Sequence, residues 1–546
     1  MSGELRGCST GVSATATAES SARSSILGES WLSRLAGWRY LDAAVLGLTV
    51  VVMTALNLLW VALDKRSPYW DMARHLGDSL FTKNSFAFAH PLRFLTAHVY
   101  YPPFVYWVTD AFYLLLGTAQ WVAILSQAVF LTVLIYSTYG IGNRLWNRSV
   151  GLLSAFFVAT TPMFVTMFKW YMLDAPLAAM AALALYLLIR SESFSSRKFS
   201  LLFGGVSGLG MLTKWTFPFV IWLPVAAALL VPLKTTLTRR SWHPLVNPVA
   251  AGLLAFAICG TWYVHNYSQL RTANALFNKR AAEIEGDPSV GSLQSVLWYA
   301  WNLVNEQLYL VPFLVFVAGF VFVFRKNESA SRNYYPVLAI VGSYVAFTLL
   351  QNKDYRFTMP MLPAVAVVAV SWLEFLRPRV RWWLKGGIVA YGVAAFLTVS
   401  FGTGVVPKDW VIHIKPRSYT SDIVAFMPGY DAGSATRAQG ITLFAQHGWL
   451  VGPPSGEQWH QEDVFKDMAT RAPKSPFAFT GGDSIWFNTW GTRYYSLKYE
   501  LPWVLQGQAH FLIIRGPPPA GATRGFAQVR QYRLPDGEEL TLFERQ

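Results

Sequence analysis

The chain has 546 residues, of which 53% are hydrophobic and only 14% charged, with a formal net charge of +15 and a mean hydropathy of +0.32. A soluble chain of this length would carry about a quarter charged residues, so the composition excludes a soluble globular protein and points to a polytopic membrane protein. The positive charge does not imply nucleic acid, because the cations sit mostly in short loops between apolar blocks, where membrane topology accounts for them.

Residues 1–30 are rich in Ser, Ala and Thr. They cannot bury much and are expected to be a disordered tail, grouped with the next ten residues as a segment 1–40. "LDAAVLGLTVVVMTALNLLWVAL" (41–63) has no charge after Asp42. At ~1.5 Å per residue it is long enough to cross a ~30 Å hydrocarbon layer. It reads as a retained helix, since no charged n-region, short apolar core and cleavage site precede it. Further apolar blocks follow near 119–139, 150–167, 175–189, 200–213, 216–232, 249–265, 306–324, 334–350, 358–376 and 384–402. With the first, they predict about eleven transmembrane helices.

Every second connection is short and basic: Arg144 and Arg148; Arg190, Arg197 and Lys198; Lys234, Arg239 and Arg240; Arg325, Lys326 and Arg332; Arg377, Arg379, Arg381 and Lys385. Together with Arg34 and Arg39 before the first block, these are expected on the cytoplasmic side. The opposite side then holds a long first loop (about 64–118), the turns around Asp174 and Lys214, the turn "QNKDYRFTMP", and everything after about 403. Within the first loop, "HVYYPPFVYWVTDAFYLLLG" (98–117) reads as a short interfacial helix rather than a crossing. Residues 403–546 predict a small extracytoplasmic α/β domain: an amphipathic helix at 461–472, strands at "SPFAFTG", "ELPWVL" and "HFLIIRG", and a hairpin closed at Pro535-Asp536-Gly537. Cys8 lies in the polar tail and Cys259 in an apolar block, so no disulfide is expected between them.

The unusual polar residues gather on the side opposite the basic loops. In "SPYWDMARHL", Asp71 follows Tyr69 and Trp70 just past the first helix, and Arg74, His75 and Asp78 share its helical face. Asp71 is placed as a general base toward a hydroxyl, or as a solvated carboxylate capping a juxtamembrane helix. A divalent cation near Asp71 and His75 is a further option, against an ion-paired helix face. Asp174 stands either as a helix N-cap before Ala175-Pro176 or as a second carboxylate in the same cavity. Lys214, Lys353, Tyr355 and Arg356 close on helix ends, where cations either answer the dipole or bind phosphate.

The ordered set "YWDMARHL", "YYPPFVYWVTDAFYLLLG", "GNRLWNRSVGLLSAFFVATTPMF", "YMLDAPLAAMAALALYLLIRS", "GGVSGLGMLTKWTF" and "KDYRFTMPMLP" resembles the GT-C glycosyltransferases, and within them the bacterial branch of the protein O-mannosyltransferase and lipid A aminoarabinose transferase group. The resemblance is tightest over 67–225 and resumes at 351–365. It implies a helix bundle (41–402) with juxtamembrane helices in the first outer loop, in the plasma (inner) membrane with a cytoplasmic N-terminus. It implies inverting transfer of a sugar from a polyprenyl-phosphate donor to a hydroxyl acceptor on a lipid, protein or polysaccharide outside the cytoplasm. Asp71 matches the catalytic acid of that loop. Arg356, with Lys214, Lys353 and Tyr355, is the expected phosphate site, and Asp174, Tyr69, Trp70 and Tyr101 the expected substrate contacts. The chain departs from many relatives in having Met72 after Asp71, where they carry Glu, and Tyr101 before Pro102-Pro103, where they carry His; no metal ligand is therefore assigned. The alternative reading is a transporter or flippase of a lipid-linked sugar, which would more usually show repeat symmetry and ionisable groups at the midplane.

Overall fold

The computed structural model describes residues 40–85, 100–402, 409–413, 440–445 and 452–546. The chain divides into two units, Met1–Val51 and Val52–Gln546. The described part of the first is the opening half of α1 (Tyr40–Leu63). The expected disordered tail lies outside the described residues.

The second unit continues α1 and then runs through α2 (Trp70–Ser85), α3 (Phe104–Leu116), α4 (Gln120–Leu145), α5 (Arg148–Thr160), α6 (Pro162–Met167), α7 (Asp174–Arg190), α8 (Arg197–Thr213) and α9 (Phe217–Arg239). It continues with α10 (Val246–Glu285), α11 (Leu293–Asn302), α12 (Leu310–Arg325), α13 (Asn327–Arg332), α14 (Tyr334–Thr348), α15 (Leu362–Ser371) and α16 (Pro378–Phe401). The protein is a multi-pass membrane protein. Five described helical segments, Tyr40–Leu63, Gln120–Leu145, Phe217–Arg239, His243–Thr272 and Pro378–Phe401, are long and apolar enough to cross a membrane. The other apolar blocks lie on helices of 10–17 residues, which at ~1.5 Å per residue fall short of a ~30 Å layer when taken singly.

Local chemistry sets several boundaries. Asn147 starts α5 by accepting a hydrogen bond from Val150 N at 3.0 Å, which satisfies one of the free amide groups of the first turn. The interfacial segment begins its helix after Pro102-Pro103 and stops at Gly117, whose φ of 84° suits a residue without Cβ. Between α8 and α10 the backbones nearly touch: a Cβ on Gly204 would lie 2.3 Å from Ala251 O. α15 is buried along its whole length, as the central helix of the bundle must be.

After α16 come β1 (Asp409–His413) and β2 (Gly440–Ala445), an antiparallel pair, then α17 (Gln461–Arg471), β3 (Phe477–Thr480), α18 (Thr489–Lys498), β4 (Phe511–Arg515), β5 (Phe526–Arg533) and β6 (Glu539–Arg545). The last four strands form one sheet in the order β3-β4-β6-β5, parallel between β3 and β4 and antiparallel elsewhere. α17 buries Val464, Phe465 and Met468, the apolar side expected of it. β4 is buried throughout, as a strand covered on both faces should be. The expected strand at "ELPWVL" is not one: only Trp503 bridges to Phe477. Pro502 has no N–H for a ladder, and its carbonyl instead accepts from Phe477 N at 2.9 Å.

Candidate active site

α2 and the 349–358 loop bring the expected base and the expected phosphate ligand together. Asp71 sits in the first turn of α2, where a carboxylate is favoured by the helix dipole, and its side chain is 32% exposed. Arg356 Nη1 donates to Asp71 Oδ2 at 2.8 Å across 285 residues of sequence. Arg356 is aimed by Asp354, whose Oδ1 accepts from both the Arg356 backbone N at 2.9 Å and its Nε at 3.0 Å. The guanidinium therefore spans two carboxylates and stays fixed in direction. Among the described residues, Asp71 Oδ1 accepts no hydrogen bond, so it faces outward with one oxygen unused.

Lys214 and Asp174 form a second pair. Lys214 Nζ donates to Asp174 Oδ1 at 2.7 Å, with the side chains 8% and 2% exposed. The pair is what the structure adds to the two expectations for Asp174. Asp174 is the first residue of α7, and Leu173 holds the N-cap position. Tyr101 lies between Lys214 and Arg74: Lys214 Nζ is 5.7 Å from its ring centroid and Arg74 Cζ 5.5 Å. Burial raises the Tyr101 hydroxyl above its ordinary pKa, against the pull of Arg74, so it remains a proton donor.

The other expected residues diverge. Tyr69 stacks on Trp170 with centroids 4.6 Å apart and planes 13° from parallel, leaving one ring face committed to protein. Trp70, at the start of α2, is 36% exposed. Tyr355 is buried beneath Arg356, whose Cζ is 5.7 Å from its ring. Lys353 is not brought to the cluster. Its ammonium donates to the carbonyls of Phe347, Thr348 and Leu350, closing the C-terminal end of α14 as the dipole favours. His75 Nδ1 faces the Tyr106 hydroxyl at 3.0 Å. Burial, and then the charges of Arg74, Lys214 and Arg356, push its pKa well below the usual value, so the ring is neutral. Among the described residues no three His, Cys, Asp or Glu side chains gather as a metal-holding group.

Further groups join the site: Asp78 and Arg74, named from sequence as neighbours of Asp71, and Arg493, Trp490, Trp486 and Lys169, which the sequence did not single out. Asp78 on α2 is 3% exposed and accepts from Arg493 Nη1 on α18 at 2.9 Å. α18 approaches so closely that a Cβ on Gly77 would meet the Tyr494 backbone at 3.6 Å. Arg74 lies against Tyr100, Tyr101 and Trp490, with its Cζ 4.6, 5.5 and 4.7 Å from their ring centroids. Trp486 meets Tyr69 edge-on at 5.9 Å and takes Arg66 over its ring at 4.6 Å. The 486–494 segment thus builds one wall of the site. Lys169 is also buried, donating to Ser400 Oγ at 3.0 Å; burial lowers its ammonium to about 7.

Chemically the cluster offers a carboxylate beside an arginine, a second lysine–carboxylate pair, and aromatic walls. Known proteins resemble the chain in sequence over part of its length and in fold. Residues 100–265 match the family model described as dolichyl-phosphate-mannose-protein mannosyltransferase. An uncharacterized protein of Aquifex aeolicus (strain VF5) is 24% identical over 281 residues, 50% of this chain and 53% of that protein; the chain's match thus spans about half the length of that curated relative. The crystal structure of ArnT from Cupriavidus metallidurans bound to undecaprenyl phosphate superposes with a TM-score of 0.53 at 16% identity, covering 93% of this chain and 98% of that one. Arabinofuranosyltransferase AftD from Mycobacteria gives 0.51 at 13% identity, covering 92% of this chain and 40% of that one. The bundle therefore has the fold of membrane glycosyltransferases of the GT-C type. The family match, over residues 100–265, lies within that bundle.

Proposed function

We propose that the protein transfers a sugar from a polyprenyl-phosphate donor to a hydroxyl acceptor, with inversion, at the outer side of the plasma (inner) membrane. The observation that carries this reading is the Arg356–Asp71 contact at 2.8 Å. A base and an anion-binding cation, from elements far apart in sequence, meet in direct contact.

The acceptor oxygen attacks the anomeric carbon as the bond from that carbon to the phosphate oxygen breaks. The acceptor proton passes to Asp71, and the electron pair of the broken bond leaves with the polyprenyl phosphate. Arg356 then carries the added negative charge, the role in which a fixed cation is most effective. In the unliganded protein Arg356 is held by Asp71 and Asp354. A donor phosphate competes with Asp71 for the guanidinium and releases the carboxylate toward the acceptor. Lys214, held at 2.7 Å by Asp174, is the second cation, and Tyr101 donates to the phosphate or sugar. The wall of Tyr69, Trp70 and Trp486 keeps the two substrates in line. The reading is supported by undecaprenyl phosphate being the ligand of the ArnT structure with the same fold.

The test is mass spectrometry of glycolipids and glycoproteins from cells carrying the wild type or Asp71→Asn. The variant is expected to lose one sugar-sized increment on one acceptor class, with turnover down about 10²–10⁴-fold. Near-normal transfer by folded Asp71→Asn would refute the base assignment.

A further inference from the structure

α4 and α7 leave an open groove of about 670 Å³ between them. One end is lined by Thr132, Val133 and Leu183, and the other, the mouth, by Asn143, Arg144, Tyr186 and Arg190. Thr132 to Arg144 is about 18 Å along α4 at the helical rise, more than half of a hydrocarbon layer. α4 is one of the helices long enough to cross it. The groove thus starts at the basic end of α4 and α7 and runs along their outer surface toward mid-membrane, where Thr132 is exposed.

The mouth is built rather than incidental. Gly140 lets the Tyr186 ring lie against α4, since a Cβ there would be 2.8 Å from that ring. The Tyr186 hydroxyl accepts from Arg190 Nη1 at 2.7 Å, and Arg190 is held over Phe199 at 4.3 Å. Among the described residues no carboxylate pairs with Arg190. Arg144 meets Glu192 at 2.9 Å, but those side chains are 50% and 65% exposed, so water and salt screen the pair and it yields readily to another anion. Asp174 and Arg190 begin and end α7, about 24 Å apart, so the groove is separate from the catalytic cluster.

We propose that this groove binds a membrane lipid with an anionic phosphate head group, the phosphate at Arg144 and Arg190 and an acyl chain along Val133 and Leu183. Cations at the mouth and apolar side chains at the other end match both halves of such a lipid. A neutral or zwitterionic head group would leave the arginines without a net anion.

The full-length protein in bilayer discs of equimolar phosphatidylglycerol and phosphatidylcholine is extracted, and retained lipid is read by native mass spectrometry. The wild type is expected to retain phosphatidylglycerol about tenfold or more over phosphatidylcholine, the scale two arginines near a membrane surface provide. Arg144→Gln/Arg190→Gln should reduce the preference to near unity. Arg144→Lys/Arg190→Lys should keep most of it, which separates loss of charge from loss of fold. Leu183→Trp, which fills the apolar end and keeps both cations, should also lower retention, and soluble glycerol 3-phosphate should not displace the lipid. An unchanged preference in the folded Gln variant overturns the proposal. So does displacement by glycerol 3-phosphate with no effect of Leu183→Trp, which would mean a site for phosphate alone.

Discussion

Arg493→Met tests how the C-terminal segment holds α2. In the wild type Asp78 is 3% exposed and its strong partner is Arg493 at 2.9 Å. The remaining cation, Arg74, keeps its Nε 4.0 Å away, beyond hydrogen-bond range. Removing one member of a buried pair costs about 3–5 kcal/mol. Arg493 is one-third exposed, so water enters where it leaves and the expected loss falls to about 2–3 kcal/mol. Asp78→Asn/Arg493→Met should be less destabilised than the two single losses added together, with a coupling of about 1–3 kcal/mol.

The pH dependence has a definite sign. Burial raises the Asp78 carboxyl above its ordinary value of 3.8, while Arg493 and then Arg74 pull it back. A folded-state value above the unfolded one means that the folded protein binds the proton more tightly. Asp78 therefore favours folding most below 3.8, and its contribution falls as pH rises through the folded value. Without Arg493 the folded value moves further up, so the penalty of Arg493→Met should grow from acid toward neutral pH. Thermal melts in detergent at both ends of that range provide the assay. A loss below about 0.5 kcal/mol, the size of an ordinary surface change, or one that does not vary with pH, would refute the claim that this pair fastens α18 to α2.

Gly204→Val should separate α8 from α10, because the new Cβ would lie 2.3 Å from a backbone oxygen that cannot swing aside; a melt should show a loss of about 1–3 kcal/mol or more. Lys214→Met leaves Asp174, 2% exposed, without its cation and should cost about 3–5 kcal/mol. Asp174→Asn/Lys214→Met should recover much of that stability without recovering transfer. Recovery of both would remove Lys214 from the donor site.

Much of the fold was legible because it rests on local rules. Apolar blocks, basic loops, the helix at Gln461–Arg471 and the hairpin of β5 and β6 depend on residues close together in the chain. Asp71 and Arg356 could be named as candidates from residue type and neighbours, although nothing local says that they touch. Trp486, Trp490 and Arg493 gave no such signal. Their texture is that of an ordinary α/β segment, and Arg493 meets Asp78 across 415 residues.

Lys353 and Asp174 mark the same boundary from the other side. Each had a bland and a chemical reading, and composition weighs them alike. The fold sent Lys353 to the carbonyls at the end of α14 and Asp174 to Lys214. By itself the sequence determined a multi-pass helical protein with its unusual polar residues opposite its basic loops, because hydropathy and loop charge act over one helix length at a time. Which of those polar groups meet was decided only by tertiary structure, because a buried charge takes whatever partner the packing of distant helices delivers within hydrogen-bond reach.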